Sequence, residues 1–175
     1  MCAAALAATG HLTSVEDMKL ENLEVPSSQD MLSLAEVVNT WVWLNNVTGD
    51  IVPLVSSLAC TELRISNMDL DQATTSGLVL GLQNGVKSLN LHEGARVHIQ
   101  TLLEYDGRGW CGEVVCWDNT RDTYRQEMKT WADTINWIVT EQSYCIWIKR
   151  EKKYRKRFSI AIDICILCMC IYRHM

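Results

Sequence analysis

Short apolar-x-apolar triplets recur along the chain at nearly constant spacing. Successive triplets lie 24, 21, 26 and 25 residues apart, at Met18/Leu20, Val42/Leu44, Leu63/Ile65, Leu89/Leu91 and Val114/Cys116. Alternation of apolar and polar residues over a few positions predicts a half-buried strand. A period of roughly 20 to 50 residues is typical of stacked repeat units. The pattern therefore predicts about five short strands that lie side by side in one parallel sheet.

The segments between the triplets carry helix signals. Residues that favour a helix start precede three of these segments, at Ser27 and Asp30, at Asp50 with Pro53 in the following turn, and at Asp71. Asn84 followed by Gly85, and the glycines within 107–109, supply stops before the fourth and fifth triplets. The predicted fold class is α/β, in which repeated strand-helix units place a short parallel sheet against a row of helices.

This arrangement resembles leucine-rich repeats, in particular the strand-plus-helix repeats in the C-terminal part of nucleotide-binding, leucine-rich-repeat (NOD-like) innate immune receptors. The resemblance covers about 15–137. It implies a solenoid of about five units that recognises a protein ligand or partner. The family carries Asn or Cys three residues after each triplet, a position that only Asn119 matches here. Asn22, Asn46 and Asn67 stand one residue earlier, where they either cap the turns or face solvent.

Composition narrows the classes of protein to which the chain can belong. With 175 residues and 48% hydrophobic content, the chain can bury one substantial core. A formal charge of -5 argues against a general nucleic-acid binder, which needs a basic face to neutralise phosphates. The N-terminal stretch lacks the basic region of a signal peptide, so we interpret the eight cysteines as reduced thiols in a cytoplasmic protein.

Motifs for catalysis are absent from the sequence. It contains neither a G-x-x-x-x-G-K-[ST] phosphate loop nor H-E-x-x-H. His92 and His98 flank an acidic residue, and four residues separate Cys111 from Cys116, but neither pair is accompanied by further ligands at a metal-binding spacing. We predict a non-enzymatic chain with no catalytic residues, no metal site and no cofactor.

The longest helical pattern follows the fifth triplet, over 120–142. Its apolar stripe recurs at steps of 4, 3, 4 and 3 residues, at Tyr124, Met128, Trp131, Ile135 and Ile138. Two interpretations remain open. The stripe either packs on the last strand and closes the solenoid, or it docks a partner with Trp137 as an additional anchor.

The division of the chain follows from these patterns. Residues 1–14 resemble the end of a preceding repeat or a partial cap. Residues 15–119 hold the repeat units, 120–142 form the closing helix and 143–175 form a tail. In the tail, a basic run over 149–157 precedes an apolar run over 158–172 that is interrupted by Asp163. The alternative function is therefore a membrane-anchored adaptor whose tail contacts a membrane. An uncapped end of the repeat stack also favours self-association.

The candidate partner-binding site lies on the concave face of the sheet. If the triplets face the core, alternation turns the intervening residues outward: Lys19, Trp41, Trp43, Arg64, Asn90, Val115 and Trp117. A slip of one residue in the second unit is the alternative, and it places Trp41 and Trp43 in the core. In the first register, the two Trp and Arg64 form an aromatic and cationic patch of the kind enriched at binding hot spots. The predicted function is non-enzymatic recognition of a protein partner.

Overall fold

The computed structural model describes residues 14–25, 32–33, 35–105, 110, 112–117 and 122–150. These residues form one sheet and four helices. The strands are β1 (Val15–Glu24), β2 (Val38–Thr48), β3 (Glu62–Ser66), β4 (Ser88–Leu91), β5 (Glu113–Trp117), β6 (Trp137–Gln142) and β7 (Cys145–Arg150). The helices are α1 (Val52–Ser57), α2 (Gln72–Asn84), α3 (Ile99–Glu104) and α4 (Asp122–Thr134). The predicted α/β class is confirmed.

The sheet has the strand order β1-β2-β3-β4-β5-β7-β6. Strands β1 to β5 are parallel and follow one another in chain order, whereas β7 is antiparallel to both β5 and β6. The helices α1, α2 and α3 each connect two successive parallel strands. Parallel neighbours need such a crossover connection, because the chain must return to the same end of the sheet before the next strand begins. The sheet is open, with β1 and β6 at its edges.

The triplets line the buried face of the sheet, as the sequence predicts. Val42, Leu63 and Leu89 occupy one row of paired positions, and all three are at most 1% exposed. The next row of triplet residues is equally buried except Leu20 on edge strand β1, which is only partly covered. These residues share one hydrophobic core with the helices, so burial of apolar surface is the main stabilising contribution.

Helices α1 and α2 approach each other closely at a glycine. A Cβ added at Gly81 stands 2.1 Å from the backbone oxygen of Val55, so only glycine fits there without a shift of backbone. Helix α2 begins at the predicted cap, where the carboxylate of Asp71 accepts a hydrogen bond from the backbone N–H of Thr74, and it ends at Gly85. The predicted cap at Asp50 is wrong, because α1 begins after Ile51 and lacks a side-chain cap.

The C-terminal end differs from the prediction of one helix over 120–142. Helix α4 ends at Thr134, and Asn136 adopts a left-handed conformation with a φ of 56° that breaks the helix. The chain then forms the β6–β7 hairpin, so the end of the sheet is formed by two antiparallel strands rather than by a helix alone. The stripe is buried at Tyr124, Met128 and Trp131, but Ile138 lies on β6 and is 42% exposed.

The predicted tail of 143–175 overlaps this hairpin. Its residues Cys145–Arg150 form β7 and therefore belong to the sheet. Trp137 is not a docking anchor, because it is buried against the rings of Trp110 and Trp131. The predicted apolar run over 158–172, the residues 1–13, and the helix start at Ser27 and Asp30 lie outside the described residues. None of the helices in the described part of the chain combines the length and apolarity needed to cross a membrane.

Candidate functional site

The face of the sheet opposite the triplets carries polar and aromatic side chains, and we refer to it as the open face. Strand pairing aligns its residues in rows that cross the sheet. One row contains Lys19, Trp43, Arg64, Asn90, Val115 and Trp147. A second row contains Asp17, Trp41, Glu62, Ser88, Glu113 and Lys149. All seven residues of the predicted site lie on this face.

Trp41 and Trp43 lie on the open face, and the one-residue slip that places them in the core is excluded. Val42 between them is fully buried, whereas both indole rings are partly exposed. The Nζ of Lys19 lies 4.2 Å from the ring centroid of Trp43, and the guanidinium of Arg64 lies 5.3 Å from that of Trp41. Both Trp rings therefore already hold cations by cation–π attraction.

A hydrogen-bond network underlies the centre of the open face. The amide nitrogen of Asn90 donates to Oε1 of Glu62 at 3.1 Å and to the hydroxyl of Ser88 at 3.2 Å. The same Glu62 oxygen forms an ion pair with Nε of Arg64 at 2.6 Å. The amide oxygen of Asn90 accepts from Nε1 of Trp117 at 3.2 Å. Because Asn90 is buried and its amide is paired on both sides, the network holds these side chains in one arrangement.

Three stacked aromatic rings flank this network on the β5 side. The rings of His92 and Trp117 are 5.2 Å apart with an interplanar angle of 13°, and the ring of Tyr144 lies 6.0 Å from Trp117. Burial of the imidazole lowers the pKa of His92 below its usual value, and the positive charge of Arg64 lowers this pKa further. His92 is therefore a neutral stacking partner at neutral pH, and Tyr144, which is 53% exposed, is the most accessible ring of the three.

The predicted site residues differ in their access to solvent. Lys19, Trp41, Trp43, Arg64 and Trp117 are exposed or half-buried, but Asn90 and Val115 are only 6% and 2% exposed. These two were predicted to be available to a partner, and that prediction is wrong. Alternation along a strand predicts the face on which a residue lies but not the fraction of that residue that remains exposed. Their contribution to the face is structural.

Several residues of the open face were not among the predicted ones. Glu62, Ser66 and His92 follow the same alternation and could have been included on that basis; the Ser66 hydroxyl accepts from Nε1 of Trp43 at 3.0 Å. Tyr144 and Trp147 belong to the hairpin, which the sequence pattern did not predict. Their contribution to the face depends on the antiparallel pairing of β7 with β5.

The cysteines and histidines in the described part of the chain have packing and capping roles. Cys60 and Cys116 are fully buried, and burial raises the pKa of their thiols to about 11 and about 12, so both remain protonated at neutral pH. His98 caps α3, whereas His92 stacks on Trp117, so the two histidines have separate roles. Cys111 lies outside the described residues. In the described ranges, no group of three or more His, Cys, Asp and Glu side chains is placed to hold a metal ion.

A groove of about 600 Å³ lies at the N-terminal ends of α2 and α3. Asp71 and His98 line it, but their side chains are already committed to capping these helices. Tyr124 also borders it, and its hydroxyl accepts a hydrogen bond from the backbone N–H of Val97 at 2.9 Å. The groove is therefore a weaker candidate than the open face.

Comparison of the chain with models of protein families, with curated proteins and with solved structures finds no match.

Proposed function

We propose that this chain is a non-enzymatic protein-interaction module, built as a leucine-rich-repeat-like solenoid, that binds a protein partner through the open face. The parallel strands β1 to β5 in chain order, with helices in three of their connections, support the repeat interpretation. The triplet spacing supports it independently. The resemblance of this spacing to that of NOD-like receptor repeats supports a proposed role in intracellular recognition for innate immunity.

The observation that carries the proposal is the aromatic character of the open face. Trp41, Trp43 and Trp117 are all partly exposed on one side of the sheet, together with Tyr144. Burial of a large aromatic side chain is strongly favourable, so several exposed rings on one surface favour a partner that covers them. Trp, Tyr and Arg are also the residue types that contribute most to binding hot spots.

Arg64 gives the surface a defined geometry. Its guanidinium is held by the carboxylate of Glu62 and faces the ring of Trp41, so the side chain is largely ordered before a partner binds. Preorganised side chains lose less conformational entropy on association, and this raises affinity without additional contacts. The network around Asn90 extends the same order to Trp117.

A photo-crosslinking experiment tests the proposal in cells. A photoreactive amino acid replaces Trp43 on the open face or, in the control, Leu80, which is exposed on α2. We expect the Trp43 position to crosslink a discrete protein that the Leu80 position does not, and the purified protein must then bind the purified chain. Equal crosslinking from both positions, or failure of the purified pair to bind, contradicts the proposal.

A further inference from the structure

The charges of this chain are strongly segregated along the sequence. Residues 1–148 carry 8 Lys and Arg against 19 Asp and Glu, which is a formal charge of -11. Residues 149–175 carry 8 Lys and Arg against 2 Asp and Glu, which is a formal charge of +6. Opposite charges of this size on one chain attract each other at the short distances that a covalent connection imposes.

The open face carries a row of carboxylates. In the second row of paired positions, Asp17, Glu62 and Glu113 alternate with Trp41 and Ser88. We call these three carboxylates the acidic row. Asp17 and Glu113 form no ion pair with any residue that the structure describes, so both are available to a further cation. Trp41 adds a ring that already accepts the guanidinium of Arg64.

The basic segment begins at one end of the acidic row. Lys149 on β7 is the direct partner of Glu113 on β5, and β7 ends one residue later at Arg150. From β7 to β1 the row crosses five gaps between strands, which is about 24 Å at about 4.8 Å for each gap. The seven residues 151–157 span about 23–25 Å when extended. The length of the basic run therefore matches the length of the row.

We propose that the basic run 151–157 of this chain lies across the open face along the acidic row. Its sequence, EKKYRKR, contains five Lys and Arg, enough to pair with Asp17, Glu62 and Glu113. The open face is then partly covered by the chain's own tail. The attraction weakens with added salt, because the pairs are exposed to solvent.

Zero-length carbodiimide crosslinking of the full chain tests this docking. The reagent joins a carboxylate to an amine in direct contact, and mass spectrometry of a chymotryptic digest identifies the pairs. Lys129 and Glu141, whose charged atoms are 2.6 Å apart, serve as the internal positive control. We expect Lys152, Lys153 or Lys156 to crosslink to the acidic row, and the yield to fall several-fold at about 0.5 M salt.

Matched variants test whether the crosslinks depend on the acidic row, and isotope labelling tests whether they form within one chain. Asp17→Asn with Glu113→Gln should remove most of these crosslinks, whereas Glu104→Gln with Glu127→Gln, which alters exposed carboxylates on α3 and α4, should leave them unchanged. An equal mixture of ¹⁴N and ¹⁵N chains separates contacts within a chain from contacts between copies. Crosslinks found only between copies overturn the proposal. Absence of crosslinks to the acidic row while Lys129 and Glu141 are joined overturns it as well.

This inference does not depend on the proposed function, because the crosslinks form in the isolated chain without a partner. Loss of the tail contact with retained partner binding leaves the proposed function standing. Conversely, if the tail crosslinks form but no partner is found, the docking of the tail stands and the proposed function does not.

Discussion

The indole Nε1 of Trp117 on β5 donates a hydrogen bond of 3.2 Å to the side-chain oxygen of Asn90 on β4. Asn90 is almost fully buried, and its nitrogen donates in turn to Glu62 on β3. Through this one amide, side chains on three adjacent strands are fixed relative to each other. The open face is therefore a surface with defined side-chain positions, which favours recognition of a specific partner.

Substitution of Asn90 tests this relationship. Asn90→Ala leaves Nε1 of Trp117 without its acceptor and removes a donor from Glu62, and an unsatisfied buried polar group costs about 1–3 kcal/mol. We expect the free energy of unfolding, measured by urea titration, to fall by about this amount. Asn45→Ala is the matched control, because Asn45 donates to Glu21 in an exposed position. Equal losses in the two variants contradict the central role of Asn90.

The inward orientation of the triplets predicts severe effects of a buried charge. Leu63 and Leu89 are at most 1% exposed, so Leu63→Asp or Leu89→Asp places an unpaired carboxylate in the core. We expect a loss of more than about 4 kcal/mol and no cooperative thermal transition. Gln83→Asp on the exposed side of α2 should change stability by less than about 1 kcal/mol. A cooperative melting curve like that of the wild type in either core variant refutes the register.

Two glycines of α2 differ in the space around them. A Cβ at Gly81 is 2.1 Å from the Val55 backbone oxygen, whereas at Gly77 the nearest atoms are 3.2 Å away. Alanine favours a helix over glycine by about 1 kcal/mol, which offsets a small clash but not a backbone clash. We therefore expect Gly81→Ala to lower the melting temperature clearly and Gly77→Ala to change it little. A reversed order is incompatible with the observed packing of α1 on α2.

Local patterns in the sequence predicted the repeated units because burial and capping are encoded within a few residues. The triplets at Leu63 and Leu89, the cap at Asp71 and the stop at Gly85 each follow from such a local rule. The orientation of Trp41 and Trp43 followed from the same alternation once Val42 was assigned to the core.

The C-terminal hairpin could not be predicted because two periodicities overlap there. In the sequence, Ile135 and Ile138 continue the helical spacing of α4. In the structure, the left-handed Asn136 follows the end of the helix, and the strand β6 begins at the next residue. The burial of Val115 and Asn90 could not be predicted either, because it depends on residues that other strands contribute. Contacts of this kind are set by tertiary pairing and not by local sequence.

Left-handed asparagines recur near the C-terminal ends of the first three strands, within β1 and β2 and directly after β3. Asn22, Asn46 and Asn67 have φ values of 51°, 50° and 51°, a conformation that Asn tolerates better than most residues. Their side chains are exposed, and Asn46 donates to the side-chain oxygen of Asn22 at 2.9 Å. Their repeated position is thus explained by backbone conformation.

The stacked imidazole of His92 predicts a pH dependence of stability. Its pKa is lowered in the folded state by burial and by Arg64, so between the lowered folded pKa and the unfolded value of 6.5 the unfolded chain binds more protons. Stability therefore falls as the pH drops below about 6.5. We expect the wild type to lose more stability than His92→Gln between pH 7 and pH 5. Parallel curves for the two proteins exclude a contribution from His92.

The affinity of the crosslinked partner for the double variant Trp41→Ala and Trp43→Ala tests the central claim most directly. Hot-spot aromatic residues contribute about 2 kcal/mol or more each, so we expect the Kd, measured by calorimetry, to rise at least about 100-fold. Leu80→Ala on α2 should leave the Kd unchanged, and both variants should retain a cooperative melting transition above the assay temperature. An unchanged Kd in the folded double variant contradicts recognition through the open face.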